Sequence, residues 1–163
     1  MAPLSSGGRE VNKRITGFSH WEAWAKRAAL ADLARPEVYA LAISSTDIAA
    51  TPFSWRREII YIGMTNAKGG LKSRLQQFDN TIKGAEGHGG GRRVRFKHPN
   101  FARLTSRLYV SVCSWDCDVT SNDPADLRIM GEVARYEYEC WALFVEAFGK
   151  LPEFNDKKKS PKR

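Results

Sequence analysis

The sequence predicts a small α+β domain: an antiparallel sheet of about three strands flanked by helices. Three observations predict it. Two short β-like runs, VYALAI at 38–43 and EIIYIGM at 58–64, lie close enough to pair as an antiparallel hairpin across a long loop. A third run, RLYVSVCSW at 107–115, alternates Leu108, Val110 and Val112 with Tyr109, Ser111 and Cys113, the period of a strand. A helical pattern separates the first two runs from the third, with no repeating βαβ unit and no internal repeat, which argues against a doubly wound parallel sheet.

Residues 1–15 read as a flexible arm. Ser19 followed by Glu22 has the spacing of a capping box and predicts a helix over 20–34, with Trp21, Trp24, Ala28 and Leu33 near one face and Pro36 as its stop. SSTDIAATPFSW connects the first two strands. Asn66 and the paired glycines Gly69 and Gly70 mark a loop. A helix follows to about residue 82, with Leu71, Leu75, Phe78 and Ile82 on its apolar face. Residues 84–98 are glycine-rich and read as irregular. Asp123 and Pro124 have the chemistry of an N-cap and a first helical residue, and Gly149 closes the long helix that they open. A short PEFN segment then leads into a basic tail at 157–163, so residues 16–156 form a single domain between two appendages.

Composition narrows the class. The chain has 163 residues and 42% hydrophobic residues, enough for one domain with a real core. No run approaches the ~20 apolar residues of a membrane span. MAPLSSGGREVNKR has no apolar segment after its charges, so no secretory leader is expected. Three cysteines are an odd count in a chain too large to need disulfide staples, which points to a reduced, cytoplasmic protein. Cys113 and Cys117 alone form a CxxxC, short of the four ligands of a structural zinc site.

The net charge is +8. Much of it sits in KKKSPKR at the C-terminus and in the acid-free stretch 88–107, which holds Arg92, Arg93, Arg95, Lys97, Arg103 and Arg107. The rest of the chain is slightly acidic. That asymmetry predicts a polyanionic partner. In the inner stretch the charges alternate with Val94, Phe96 and Phe101, so Arg92, Arg93, Arg95, Lys97 and Arg103 are the candidates for holding that polyanion.

The residues that carry chemistry lie on these elements. Tyr39 is on the first strand, Tyr61-Ile62-Gly63 on the second, Arg74 on the following helix, a glutamate on the last helix and Asn155 in PEFN. In this order they resemble the GIY-YIG nuclease family, over about residues 37–156. The first motif reads Glu37-Val38-Tyr39 and keeps only the tyrosine. One turn after Arg74, where many members carry His or Tyr, stands Phe78. His88 lies beyond Arg74 at a distance similar to that of an active-site histidine in homing-type members, and the glycines after it would let backbone amides approach a phosphate. The resemblance implies a DNA endonuclease dependent on Mg²⁺ or Mn²⁺, with tyrosine serving the attack, arginine the transition state and glutamate the metal. It leaves open which tyrosine is the base. Compact flanks favour a restriction-type enzyme, acting alone or as a homodimer. The alternative is a catalytically inactive nucleic-acid-binding module that keeps the fold.

These residue types suit that chemistry. Arginine grips phosphate oxygens with a planar fork and never loses its charge. A carboxylate with an Asp- or Asn-type oxygen suits a hard divalent ion that keeps most of its waters. Glu137 and Glu139 compete for the ion. From Glu137 the helical neighbours are Cys140, Trp141, Phe144 and Phe148, an apolar stripe; from Glu139 they are Ala142, Leu143, Glu146 and Lys150, a wetter face. A carboxylate in an apolar stripe needs a compensating partner, so Glu137 is the expected ligand. Arg74 neighbours Leu71, Leu75 and Phe78 at helical spacing and therefore borders the buried face.

Overall fold

The structure, a computed structural model, describes residues 17–156. The expected arm at 1–15 and basic tail at 157–163 lie outside the described residues. The architecture is α+β. The sheet is antiparallel, but it has four strands where the sequence predicts about three. The strands are β1 (Glu22–Ala23), β2 (Glu37–Ile43), β3 (Ile59–Thr65) and β4 (Leu108–Ser114), in the order β1-β4-β2-β3. Helices α1 (Gly70–Lys83), α2 (Gly89–Lys97), α3 (Phe101–Thr105) and α4 (Pro124–Phe148) pack around it.

The added strand replaces part of the helix predicted over 20–34. Ser19 does not cap a helix. Its N–H donates to the Val112 carbonyl at 2.8 Å, and its Oγ accepts the Val112 N–H at 3.1 Å. The free edge of β4 offers unpaired backbone groups, and this segment satisfies them. A short 3₁₀ helix, Trp24–Ala29, is all that remains helical there. The tryptophans that the helical reading placed near one face serve opposite faces instead. Trp21 packs with the cluster around Val133 and Phe144, and Trp24 with the cluster around Leu75 and Phe78.

β2 lies at the sheet's centre and is covered on both faces, which explains its continuous apolar run. Val38, Ala40 and Ala42 face α4 through Ile129, Val133, Cys140 and Phe144. Tyr39 and Leu41 face the opposite way, toward Leu71, Leu75 and Phe78 of α1. The boundaries of α1 and α4 match the sequence signals. Asp123 Oδ1 accepts the Ala125 N–H at 2.9 Å, and Gly149 ends α4 in the left-handed conformation at φ 75°.

Residues 84–98 are not irregular. They hold α2, whose N-cap is His88: its side chain accepts the Gly91 N–H. α3 follows, capped by Asn100. None of the cysteines is in a disulfide. Among the described residues no helix is long and apolar enough to cross a membrane.

Candidate active site

The site begins with the register of β2 against β3. Tyr39 pairs with Gly63 and Leu41 with Tyr61, so both tyrosines project from the same face. Their rings lie 6.0 Å apart between centroids. Gly63 makes the arrangement possible. A Cβ there would fall 2.7 Å from the Tyr39 Oη and 2.8 Å from the Tyr61 ring. The tyrosine-x-glycine spacing on β3 is thus a packing requirement of two rings sharing one side of a sheet.

α2 closes the site from above. Gly90 approaches so closely that a Cβ would lie 2.5 Å from Cε2 of Tyr61. The glycine run after His88 therefore admits a helix against a ring, a role different from the phosphate-binding turn expected of it. His88 is fully buried. Its ring meets Phe78 edge-on with centroids 5.1 Å apart, and Tyr61 at 5.6 Å. Phe78 is thus a wall for His88.

Hydrogen bonds define the protonation of this cluster. Gly91 N–H donates to His88 Nδ1 at 3.1 Å, so that nitrogen must be the acceptor. The neutral ring then carries its proton on Nε2, which donates to Tyr39 Oη at 3.0 Å. Burial, then the Arg74 and Arg93 charges, pull His88 down to about 3, so the ring stays neutral at ordinary pH. Because Tyr39 accepts from His88, its own proton is directed elsewhere. Burial pushes the Tyr61 phenol up, Arg74 opposes that, and a hydrogen bond from Tyr39 also favours the ionised form of Tyr61. Burial holds Tyr39 far above the usual phenol range. The relay runs from the Gly91 amide through His88 and Tyr39 to Tyr61.

The site is layered. Tyr39 and His88 are buried, whereas Tyr61, Arg74 and Glu137 are half-buried and meet solvent. Arg74 donates from Nη1 to Gln77 at 2.6 Å, while its buried Nε has no hydrogen-bond partner. Glu137 lies one turn before Trp141, whose indole donates to the Ile62 carbonyl on the edge strand β3 at 3.3 Å. Burial raises the Glu137 carboxyl to about 7, against the opposing pull of Arg74. Glu139 instead turns to Arg135 at 3.9 Å on the outer face. Among the described residues no group of three or more His, Cys, Asp or Glu side chains gathers to hold a metal ion, so Glu137 stands here as a single carboxylate.

Asn155 has a different task from the catalytic one expected. Its Oδ1 accepts the Ile62 N–H at 2.8 Å and its Nδ2 donates to the Ile62 carbonyl at 2.8 Å. The amide imitates one more strand residue on the open edge of β3, and Phe154 N–H adds a bond to the Ile60 carbonyl at 2.9 Å. Both ends of the side chain are engaged, so it positions Tyr61 from behind. PxxN is a latch.

The DNA-binding candidates divide. Arg92 pairs with Glu86 at 3.2 Å, and Lys97 pairs with Glu153. Arg95 donates to the Thr81 and Ala85 carbonyls at 2.9 and 3.0 Å, tying α2 to the end of α1. Arg103 is exposed, and with Lys97, His98, Asn100 and Arg107 it lines a basic groove. Arg93 alone among the five is buried.

Glu37 escaped the sequence reading as a site neighbour. It shares the Tyr39 face of β2, is fully buried, and neither carboxyl oxygen has a hydrogen-bond partner. Burial, helped by Asp32, raises it to about 9, so it is a neutral acid. Its place in the first motif, where a small residue would be expected, was the available signal. Comparison with known proteins finds no matching family model, no matching curated relative and no matching solved structure.

Proposed function

We propose that this chain is a divalent-metal-dependent DNA endonuclease of the GIY-YIG type, a restriction-type phosphodiester hydrolase acting alone or as a homodimer. One observation carries the reading. Arg74 bears electrostatically on Tyr39, Tyr61, His88 and Glu137 together, although these residues come from separate elements. A guanidinium surrounded by phenols, a neutral imidazole and one carboxyl suits a reaction that gathers negative charge on phosphorus and moves a proton from water.

Hydrolysis forms a bond from water oxygen to phosphorus, breaks a P–O ester bond, removes a proton from the water and delivers one to the leaving oxygen. Tyr61, as the phenolate left when its own proton has gone to solvent, takes the water's proton. It is the phenol at the solvent edge; Arg74 favours the ionised form of both tyrosines, and Tyr61 alone has the added hydrogen bond from Tyr39. His88 and Tyr39 hold that phenol's orientation through the fixed tautomer. Arg74, half-buried at the edge of the site, neutralises the phosphoryl oxygens as their charge grows.

Glu137 fits a cation. It is half-buried, raised to about 7, and compensated only by the field of Arg74. A hard ion such as Mg²⁺ or Mn²⁺ asks for few protein carboxylates. Bound by Glu137, it would supply a Lewis acid that makes water more acidic and neutralises phosphate charge. Asn155 is not available as a second ligand while it latches Ile62.

The test is to incubate the protein with supercoiled plasmid in Mg²⁺, in Mn²⁺ or in EDTA. Metal-dependent nicking or linearisation is expected, and discrete fragments would mark sequence-specific cutting. DNA binding without cleavage in any metal would overturn the enzyme and favour the silent binding module.

A further inference from the structure

Arg93 is the most deeply buried of the basic residues in 88–107, with 6% of its surface exposed. Its Nε has no hydrogen-bond partner. Among the described residues no carboxylate forms an ion pair with it, whereas Arg92, whose own Nε is also without a partner, pairs with Glu86 through Nη1, and Arg95 and Lys97 are engaged. A buried guanidinium without an anion is costly and calls for a reason. Its position supplies one. Arg93 stands three residues after Gly90, on the face of α2 that meets Tyr61. Its charge reaches His88 alongside that of Arg74, whose Nε is also without a partner. Arg74 acts on the phenols of Tyr39 and Tyr61, on the neutral imidazole of His88 and on the single carboxyl of Glu137, and His88 is the group that Arg93 shares with it. That carboxyl is compensated by Arg74. The cluster as a whole therefore carries uncompensated positive charge.

We propose that Arg93 and Arg74 form a two-arginine seat for one phosphate group, with Arg93 touching the same phosphodiester that is cut. The identity of the anion rests on the nuclease reading; its negative charge does not. Two guanidiniums from different helices would hold the phosphate oxygens from two directions, which fixes the attack line at phosphorus. The seat separates Arg93 from Arg92, Arg95 and Lys97. Those three grip the protein's own surface.

The experiment uses inorganic phosphate as the probe, with sodium chloride at matched ionic strength as the control. Parent protein is expected to gain thermal stability with phosphate beyond the salt control. Arg93→Met should lose that gain and should be at least as stable as the parent without phosphate, because a buried unpaired charge has gone. Arg93→Lys, which keeps the charge and the fold but lacks the fork, should retain only part of the gain. Arg135→Gln, on the outer face of α4, should respond like the parent. In single-turnover cleavage Arg93→Met should lose about 100-fold in rate, with a far smaller change in DNA affinity. A full phosphate response and normal cleavage in both Arg93 variants would overturn the seat while leaving the nuclease reading intact. Loss of the phosphate response in a protein whose parent never nicks DNA would uphold the seat and sink the nuclease reading.

Discussion

At the scale of single residues, the choice between Glu137 and Glu139 is a choice between two environments on one helix. Glu137 is held at about 7 against an ordinary 4.5. The folded protein binds that proton more tightly than the unfolded chain does. The group's contribution to stability is therefore full below 4.5 and is lost as pH rises from 4.5 through 7. Glu137→Gln removes the loss, so its advantage over the parent should grow across that window in urea melts without metal. The same variant should not cleave DNA, whereas Glu139→Gln should keep most activity. A dead Glu139→Gln with a fully active Glu137→Gln would move the ligand to Glu139. Arg74 makes the second case. A group that acts on developing charge should appear in rate more than in affinity. Arg74→Lys should lower the single-turnover rate by about 10²–10³-fold with little loss of DNA binding. Equal losses in rate and affinity would make Arg74 an anchor and no more.

At the scale of elements, the site depends on how closely α2 approaches β3. Gly90 is the contact, and a Cβ there meets the Tyr61 ring at 2.5 Å. The ring cannot retreat freely, since Asn155 latches the backbone of Ile62 next to it. Gly90→Ala should therefore cost about 1–3 kcal/mol of stability through overpacking, and cleavage should fall further because Tyr61 is displaced. Denaturant midpoints and nicking rates read the two effects separately. A variant with parental stability and rate would show that α2 sits farther from Tyr61 than the structure has it. His88 links the same elements. It caps α2 through Nδ1 and reaches β2 through Nε2, so one ring joins helix to strand.

At the scale of the whole molecule, charge is distributed unevenly, and only part of it is free. Lys97 and Arg92 are engaged with acids, and Arg95 with carbonyls. Arg103 and Arg107 line the groove beyond α2 with no acid beside them in its lining. A phosphate contact contributes about 0.9 to the slope of log K against log salt. Replacing Arg103 and Arg107 together by Ala should flatten that slope by up to about 1.8 units, whereas replacing Arg95 should act mainly on stability. Binding titrations across salt concentrations measure it. A larger slope change from Arg95 than from the groove pair would relocate the DNA path onto α2.

The sequence by itself determined the α+β class, both long helices and the caps of α4, the hairpin strands, and the order of Tyr39, Tyr61, Arg74 and Glu137 along them. Those features rest on local signals: period, capping chemistry and the amphipathic phase that separates Glu137 from Glu139. Only the tertiary structure decided the rest. Ser19 and Glu22 carry a real helix-start signal, yet the unpaired edge of β4 competes for the same backbone and wins. The glycines at 89–91 weaken a helix locally, yet helix forms because its packing on Tyr61 and Thr81 requires small residues. Asn155 carries a side chain suited to a metal, yet the open edge of β3 engages both of its polar ends. Arg93 is one basic residue among several in the chain. It becomes distinct only when folding buries it where its charge reaches His88 and pairs its neighbours elsewhere. Spacing along a chain reports which groups share an element. Which of them are left without a partner is decided by what the other elements bring against them.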